Sequence, residues 1–406
     1  MSEAYICNYA RTAIGRYAGA LASVRTDDLA ALPIKEVIRQ LEGKVDPSSI
    51  DDVIFGCANQ AGEDNRNVAR MALLLAGLPI SVPGVTVNRL CASGMSAVIA
   101  ASHAIRSGQA DLIIAGGVEN MSRAPFVMPK ADSPFSRNTE IYDTTLGWRF
   151  VNPGIEERFG VDSMPLTAEN VAQRYGISRK AQDAFALRSQ EKWRIAQQTG
   201  KLKDEIFPIE VPSASGSIGK TRTRVFDVDE HPRQTNLEKL SNLKALFREQ
   251  GTVTAGNSSG INDGAAAIIV ASQRAVNRFG LSPVARILGD AAAGVEPSLM
   301  GIGPVSATRK LCARLKLKPQ CFGVIEINEA FAAQCIAVLR GLEIDEKSPY
   351  VNPNGGAISI GHPLGMSGVR IVGTAALEMK RSNVEFGLAS MCVGVGQGVS
   401  VALGSV

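Results

Sequence analysis

Apolar and polar residues follow the same order of elements in two distant parts of the chain. In the first half, the amphipathic helical pattern LAALPIKEVIRQL precedes the strand-like run VIFGCAN. In the second half, the helical pattern SATRKLCARLKL precedes the run FGVIEINEA. A second strand, a turn, a helix and a third strand then follow in each half. This order indicates that one βαβ-rich unit occurs twice.

Strands that alternate with helices are typical of sheets covered by helices on both faces. We therefore predict an α/β fold with two duplicated halves and mostly parallel sheets. A segment with several proline, glycine and charged residues separates the halves, and we expect it to be a loop domain inserted over the first half. The predicted boundaries are 1–120 with 251–274 for the N-terminal half, 121–250 for the loop domain and 275–406 for the C-terminal half.

The composition narrows the class of protein. With 45% apolar residues, 20% charged residues and a net charge of +4, the chain is typical of soluble globular proteins and does not indicate nucleic-acid binding. The apolar runs are too short to cross a bilayer and no signal peptide is recognisable, so we expect no membrane association and a cytoplasmic location. The seven cysteines include no CxxC pair, which argues against a zinc ribbon or a redox dithiol.

Potentially reactive side chains follow several of the predicted strands. Cys91 and Cys392 lie at or just beyond strand ends, and Asn328 and Glu329 follow another strand. His362 lies in the glycine-rich segment of the second half. Because ligands of open α/β sheets bind beyond the carboxyl ends of the strands, we expect these residues to converge.

Cys91 lies between a predicted strand and a predicted helix, where free N–H groups and the helix dipole favour a thiolate. The dipole contributes at most ~2 kcal/mol, so it lowers the thiol pKa by roughly one unit from ~8.5. A base such as His362 would have to complete the deprotonation. Two alternatives stay open: Cys91 as a packing residue, and the segment CVGVGQG as a tight turn and not an oxyanion-binding loop.

Several longer motifs carry a resemblance to a known family. They are NRLCASGM, AGGVENMSRAP, TAENVA, VTAGNSSGINDGAAA, INEAFAAQ, NPNGGAISIGHPLGMSG and MCVGVGQG. In this order, and along nearly the whole chain, the sequence resembles the thiolases. The resemblance implies a five-layered αβαβα thiolase-like fold with an inserted loop domain, and acyl transfer between CoA thioesters by a ping-pong mechanism.

The resemblance also implies a role for each residue that matches a family motif. Cys91 matches the nucleophile that carries the acyl group, and His362 matches the base that activates it. Cys392 matches the acid/base that exchanges a proton with the substrate α-carbon or with the incoming thiol. Asn328 matches the residue that holds a water, which forms one oxyanion hole with His362. The N–H groups of Cys91 and Gly394 match the second oxyanion hole.

Coenzyme A is the co-substrate that the resemblance implies, and no tightly bound cofactor or metal is expected. The residues that match CoA or pocket contacts are Ser259, Ala255, Phe331, Met164 and, where the similarity is looser, Arg233. The resemblance further implies a homodimer or homotetramer.

Departures from the common thiolase pattern concern the acyl pocket. Val395 stands where many thiolases have glycine, and Ser163 stands where some short-chain biosynthetic members have histidine. Segments such as DTTLGWRFVNP are instead similar to the 3-oxoadipyl-CoA thiolase subgroup of aromatic catabolism. That subgroup cleaves 3-oxoadipyl-CoA with CoA to succinyl-CoA and acetyl-CoA.

The distal carboxylate of such a substrate calls for a cation or polar donors in the acyl pocket. The candidates near the expected acyl end are Arg66, Arg123, Lys130, Arg137 and Arg149, each with a solvated surface role as its alternative.

Three other functions compete with this interpretation. A broad-range 3-ketoacyl-CoA or acetyl-CoA acetyltransferase thiolase shares the chemistry and differs in the pocket. A decarboxylating condensing enzyme would typically need a second active-site histidine where this chain has Asn328. A non-catalytic acyl-CoA or lipid-binding relative would need none of the three reactive residues. Of the remaining residues, His103 is expected to be structural and His231 solvated, and the expected packing residues are Cys7, Cys57, Cys312, Cys321 and Cys335.

Overall fold

The computed structural model describes residues 2–212, 223–245 and 247–406. Its strands are β1 Ala4–Arg11, β2 Gly15–Arg16, β3 Asp52–Gly56, β4 Gly84–Val87, β5 Leu112–Asn120, β6 Phe126–Val127, β7 Tyr142–Asp143, β8 Ile209–Pro212, β9 Thr223–Phe226, β10 Asn262–Ser272, β11 Ala285–Gly294, β12 Val324–Ile327, β13 Phe386–Val393 and β14 Gln397–Gly404. Its helices are α1 Thr26–Arg39, α2 Val68–Leu75, α3 Ser93–Arg106, α4 Pro153–Phe159, α5 Met164–Arg174, α6 Arg179–Gln198, α7 Leu237–Ser241, α8 Gln273–Phe279, α9 Gly303–Leu315, α10 Ala332–Gly341, α11 Ala357–Ile360 and α12 Leu364–Ser382. None of the described helices is long and apolar enough to cross a membrane.

The long strands of both halves form one mixed sheet. Its order is β12-β13-β14-β11-β1-β10-β5-β3-β4, and the short antiparallel pair β1–β11 joins the halves. Three pairs are parallel, namely β3–β4, β3–β5 and β12–β13, whereas the pairs that involve β1, β10, β11 and β14 are antiparallel. The prediction of mostly parallel sheets is therefore wrong. One reason is local: only three residues connect β13 to β14, and a turn that short can only join antiparallel strands.

The two halves repeat one arrangement. Strands β3, β5, β10 and β1 of the first half correspond in order to β12, β13, β14 and β11 of the second. The counterpart of β4 is a single isolated bridge between Ile325 and Val351. Helix α12 contacts β5 and β10 of the first half as well as β12 and β13 of the second, so it lies between the two halves of the sheet together with α3. Helices α1 and α9 cover the two outer faces, which gives the predicted five layers.

Glycines allow the central helices α3 and α12 to touch backbone to backbone. A Cβ atom on Gly94 would lie 2.4 Å from the carbonyl oxygen of Gly365, and one on Gly368 would lie 2.2 Å from the backbone nitrogen of Met95. Gly94 and Gly365 are each the second residue of their helix, so it is the first turns that meet. Residues that immediately precede α3 and α12 therefore lie near one another.

Residues 121–250 form helices α4 to α7 and the two small sheets β6–β7 and β8–β9. A buried ion-pair network ties this region to β1: the Arg11 guanidinium donates to Glu205 at 2.9 Å and to Asp229 at 2.7 Å. Helices α5 and α6 also contact α10, and α6 contacts α11. The segment therefore packs against both halves of the protein and not only against the first.

Candidate active site

Cys91 lies two residues before α3, in a turn fixed by neighbouring side chains. The Ser93 hydroxyl donates to the Leu90 carbonyl at 2.6 Å and accepts from the Arg89 N–H at 2.9 Å. Burial of the thiol raises the pKa of Cys91 to about 11, and a hydrogen bond from the Gly394 N–H opposes this shift only partly. The net pKa of Cys91 is thus higher than the helix terminus alone would give, because desolvation of a thiolate outweighs the N–H groups that lower it.

His362 lies two residues before α12, and its hydrogen bonds fix its tautomer. Its Nδ1 is 2.6 Å from the Ser367 hydroxyl oxygen, and that hydroxyl donates its own proton to the Pro363 carbonyl at 2.8 Å. Ser367 can therefore only accept from His362, so Nδ1 carries the proton and Nε2 is a free base. Burial, together with the charge of Arg370, lowers the pKa of His362 to about 3, which keeps the imidazole neutral.

Asn328 follows β12 and faces the same imidazole. Its Nδ2 amide donates to Nε2 of His362 at 3.2 Å, and its backbone N–H is held by the Ser390 carbonyl at 3.0 Å. Its buried Oδ1 has no hydrogen-bond partner among the described residues. The amide and the imidazole nitrogen therefore form a small polar pair in an otherwise apolar region, able to hold a water or a substrate oxygen.

Cys392 and Gly394 approach Cys91 from the β13–β14 hairpin. Burial raises the pKa of Cys392, and the nearby Cys91 raises it further, so the two sulfurs lie close enough for their charges to interact. A Cβ atom on Gly394 would lie 3.2 Å from Leu90 Cδ1, and the absence of a side chain lets this N–H reach the Cys91 sulfur. Cys392 therefore lies close to Cys91, and Asn328 lies close to His362, with the four residues contributed by four segments of the two halves.

A cavity of about 460 Å³ opens beside Cys91. Its wall contains the segment 144–150, Ser163, Met164 and Val395. Most of the side chains that line it are apolar, among them Leu90, Met121, Leu146, Trp148, Phe150 and Met164. Cys91 therefore borders a mostly apolar cavity.

Val395 adopts a left-handed backbone conformation in this wall, with a φ of 60°. A β-branched residue rarely adopts such a conformation, and strain of this kind is concentrated at functional sites. Leu90 and Phe150, which line the same cavity, also have positive φ angles, of 46° and 51°.

Four of the five residues expected to contact CoA take part in, or lie next to, two hydrogen-bonded contacts. The Ser259 N–H donates to the Ala330 carbonyl at 2.9 Å, next to Phe331, and the Arg233 guanidinium donates to the Ala255 carbonyl at 3.5 Å. Met164 lies apart from them in the wall of the acyl cavity, where it packs against the cluster that contains Phe331 and Cys392.

The five candidate cations are separated by the structure. Arg66, Lys130 and Arg137 are exposed and do not line the cavity. Arg123 is engaged with Glu63, to which its Nε donates at 2.7 Å. Arg149 is the one of the five that lines the cavity beside Cys91.

The other histidines and cysteines differ in how far their burial agrees with the sequence predictions. His231, expected to be solvated, is buried: its Cε1 lies 2.2 Å from where a Cβ atom on Gly260 would be, and burial lowers its pKa to about 4. Cys321, expected to pack, is exposed because it lies in a short turn after α9. His103 pairs with Asp290 at 2.6 Å, which fits a structural role, and the other expected packing cysteines are buried at positions Cys7, Cys57, Cys312 and Cys335.

Glu119 is a buried residue of the site that sequence reasoning missed. Its carboxylate accepts from the N–H groups of Ala58, Asn59 and Gly365, at 3.0, 3.1 and 2.8 Å. It therefore holds a first-half loop against the first turn of α12. Its pKa is raised to about 7 by burial, and it lies in the cavity wall. The segment AGGVENMSRAP contained it, but no local signal indicated partners so far along the chain.

Known protein families and curated relatives match this chain along nearly its whole length. The family profile "Thiolase, N-terminal domain" matches residues 4–274, and "Thiolase, C-terminal domain" matches residues 281–405. The chain is 57% identical over 404 residues to 3-oxoadipyl-CoA/3-oxo-5,6-dehydrosuberyl-CoA thiolase of Escherichia coli (strain K12), covering 99% of both chains. It is 43% identical over 405 residues to acetyl-CoA acetyltransferase of Cupriavidus necator, again covering 99% of both.

Solved structures give the same result for the fold. Human mitochondrial 3-ketoacyl-CoA thiolase matches with a TM-score of 0.92 at 37% identity, covering 100% of this chain and 99% of that one. Acetyl-CoA acetyltransferase of Bacillus anthracis matches with a TM-score of 0.91 at 38% identity, with the same coverage. On the matching domains, the relatives and the fold together, the chain belongs to the thiolase family.

Proposed function

We propose that the protein cleaves 3-oxoadipyl-CoA with CoA to give succinyl-CoA and acetyl-CoA. The substrate is supported by the names of the relatives: beta-ketoadipyl-CoA thiolases of two Pseudomonas species are 57% identical over 99% of this chain, against 43% for the acetyl-CoA acetyltransferase. The observation that carries the chemistry is the neutral imidazole of His362, whose unprotonated Nε2 can act as a base and accepts a hydrogen bond from the Asn328 amide.

In the first half-reaction, His362 takes the thiol proton of Cys91 and the sulfur attacks the C3 carbonyl of the substrate. The oxyanion is stabilised by N–H donors and by the Asn328–His362 pair. The C2–C3 bond then breaks, and Cys392 protonates C2. Acetyl-CoA leaves, and a succinyl group remains on Cys91 as a thioester.

In the second half-reaction, the Cys392 thiolate removes the thiol proton of an incoming CoA. The CoA sulfur attacks the succinyl carbonyl, succinyl-CoA leaves, and the proton held by His362 returns to Cys91. Both cysteines thereby regain the protonation states in which they started. The raised pKa of Cys91 and the lowered pKa of His362 favour neutral groups in the free enzyme, so we expect proton transfer to accompany attack and not to precede it.

CoA acts here as co-substrate, and the proposal needs no tightly bound cofactor. We assign its pantetheine and nucleotide contacts to Ser259, Ala255, Phe331 and Arg233. We further propose a homodimer or homotetramer. The supporting observation is that β4 is an edge strand of the sheet and that α2, which packs on it, exposes Met71, Leu74 and Leu75.

The mostly apolar cavity wall favours a second candidate, a broad-range 3-ketoacyl-CoA thiolase. The two candidates are separated by kcat/KM for CoA-dependent cleavage of 3-oxoadipyl-CoA, acetoacetyl-CoA and a medium-chain 3-oxoacyl-CoA. A strong preference for 3-oxoadipyl-CoA supports the first proposal. Equal or faster cleavage of the uncharged substrates contradicts it and supports the broad-range enzyme.

A further inference from the structure

The acyl cavity contains the guanidinium group of Arg149, which forms no salt bridge with any carboxylate of the described residues. Arg149 is the only cationic side chain among the described residues that line the cavity beside Cys91. No Asp or Glu oxygen of the described chain lies within 4.0 Å of it, unlike Arg123, which is paired with Glu63. Arg149 is also only partly exposed, between Trp148 and Phe150 of the same wall.

Neither acidic residue of the cavity forms a salt bridge with Arg149. Glu119 accepts three backbone N–H groups, and the Asp162 carboxylate accepts from the Asn170 amide at 2.9 Å. A guanidinium in a largely apolar wall is costly unless an anion pairs with it. The arrangement therefore leaves a place for an anionic group on the ligand.

We propose that Arg149 binds the terminal carboxylate of the acyl group that Cys91 carries, and so selects 3-oxoacyl-CoA substrates whose acyl chain ends in a carboxylate. The inference rests on the proposed function and names the residue that reads its substrate. In a succinyl thioester the carboxyl carbon lies three C–C bonds from the carbonyl carbon, roughly 4 Å away at ~1.5 Å per bond. Cys91 and Arg149 line the same cavity of about 460 Å³, so this short chain and the guanidinium share one space. A guanidinium can bind it through two parallel hydrogen bonds.

The test compares 3-oxoadipyl-CoA with 3-oxohexanoyl-CoA, which has the same chain length and no terminal charge. In Arg149→Gln we expect kcat/KM for 3-oxoadipyl-CoA to fall by about 100-fold or more, because the terminal carboxylate loses the guanidinium that binds it. For 3-oxohexanoyl-CoA we expect a change within about threefold, since that chain makes no charge pair with Arg149. Arg137→Gln, which removes an exposed guanidinium outside the cavity, is the matched control and should change neither value.

Arg149→Lys supplies a second variant. It keeps the charge but loses the bidentate geometry, so we expect it to restore part of the lost activity on 3-oxoadipyl-CoA. A lysine variant no better than the glutamine variant would contradict a charge pair. An equal loss on both substrates in Arg149→Gln would indicate a structural role and overturn the inference.

The wild-type enzyme separates this inference from the proposed function. If it shows no preference for 3-oxoadipyl-CoA over 3-oxohexanoyl-CoA, the proposed function fails and the inference fails with it. If the wild-type preference exists and persists in Arg149→Gln, the proposed function stands and the assignment to Arg149 is wrong.

Discussion

Removal of the Ser367 hydroxyl tests whether this side chain sets the protonation state of the proposed base. In the structure the hydroxyl accepts from Nδ1–H of His362 at 2.6 Å and donates to the Pro363 carbonyl at 2.8 Å. Ser367→Ala removes both bonds and leaves Nδ1–H of His362 buried without a partner. The imidazole can then move its proton to Nε2, the nitrogen that should accept the thiol proton of Cys91.

Two magnitudes follow from this geometry. A buried donor left without its acceptor costs about 1–3 kcal/mol, so the free energy of unfolding should fall by that amount. For activity, loss of the group that orients a functional histidine typically costs ~10- to 100-fold. We therefore expect kcat for thiolysis to fall within that range while KM changes little, because Ser367 does not line the acyl cavity.

The assay is steady-state thiolysis beside chemical denaturation of the same preparations. Ser102→Ala is a matched control: Ser102 lies on α3, is also buried, and its hydroxyl has no partner among the described residues. It should leave kcat unchanged. A Ser367→Ala enzyme with wild-type kcat would refute the tautomer argument, even if its stability were lower.

Two further predictions concern the reactive sulfur and the strained turn. Burial raises the pKa of Cys91 to about 11, so about one thiol in ten thousand is a thiolate at pH 7. The rate at which iodoacetamide alkylates Cys91 should therefore rise ~10-fold per pH unit between pH 7 and 9. Peptide mass spectrometry measures the alkylation, with the exposed Cys321 as internal reference. A rate at Cys91 that reaches a plateau near neutral pH would instead indicate a stable thiolate–imidazolium pair. Val395→Gly removes the strain of a left-handed β-branched residue, ~1–2 kcal/mol, and adds ~0.5–1 kcal/mol of glycine entropy cost. The free energy of unfolding should therefore rise by up to about 1.5 kcal/mol. Denaturation that shows a marked loss of stability would contradict this estimate.

The order of elements and the positions of the reactive residues at strand ends and helix starts could be predicted because both depend on local patterns. The duplicated helix and strand patterns indicated two halves, and Cys91, His362 and Asn328 each follow a strand or precede a helix. The direction of the strands could not be predicted in the same way. It depends on how β10 and β14 return to the sheet, which the hydrophobic pattern of a buried strand does not encode.

The electrostatics of the site were less predictable, because they depend on burial and on partners far along the chain. A helix terminus beside Cys91 was visible in the sequence, but the enclosure that raises its pKa was not. Glu119 and Gly365 are separated by 246 residues, and their hydrogen bond has no local signature. Likewise, the sequence offered five cations for the acyl pocket, and only the fold separates Arg149 from the others.

The most direct test of the central claim is to find which acyl group is attached to which cysteine. The enzyme is mixed with 3-oxoadipyl-CoA in the absence of free CoA, quenched in acid, digested and examined by peptide mass spectrometry. We predict a succinyl group on the peptide that contains Cys91, no such group on the Cys392 peptide, and loss of the label when CoA is added before the quench. A Cys91 peptide that stays unmodified while acetyl-CoA is released, or a succinyl group on Cys392, would contradict the account.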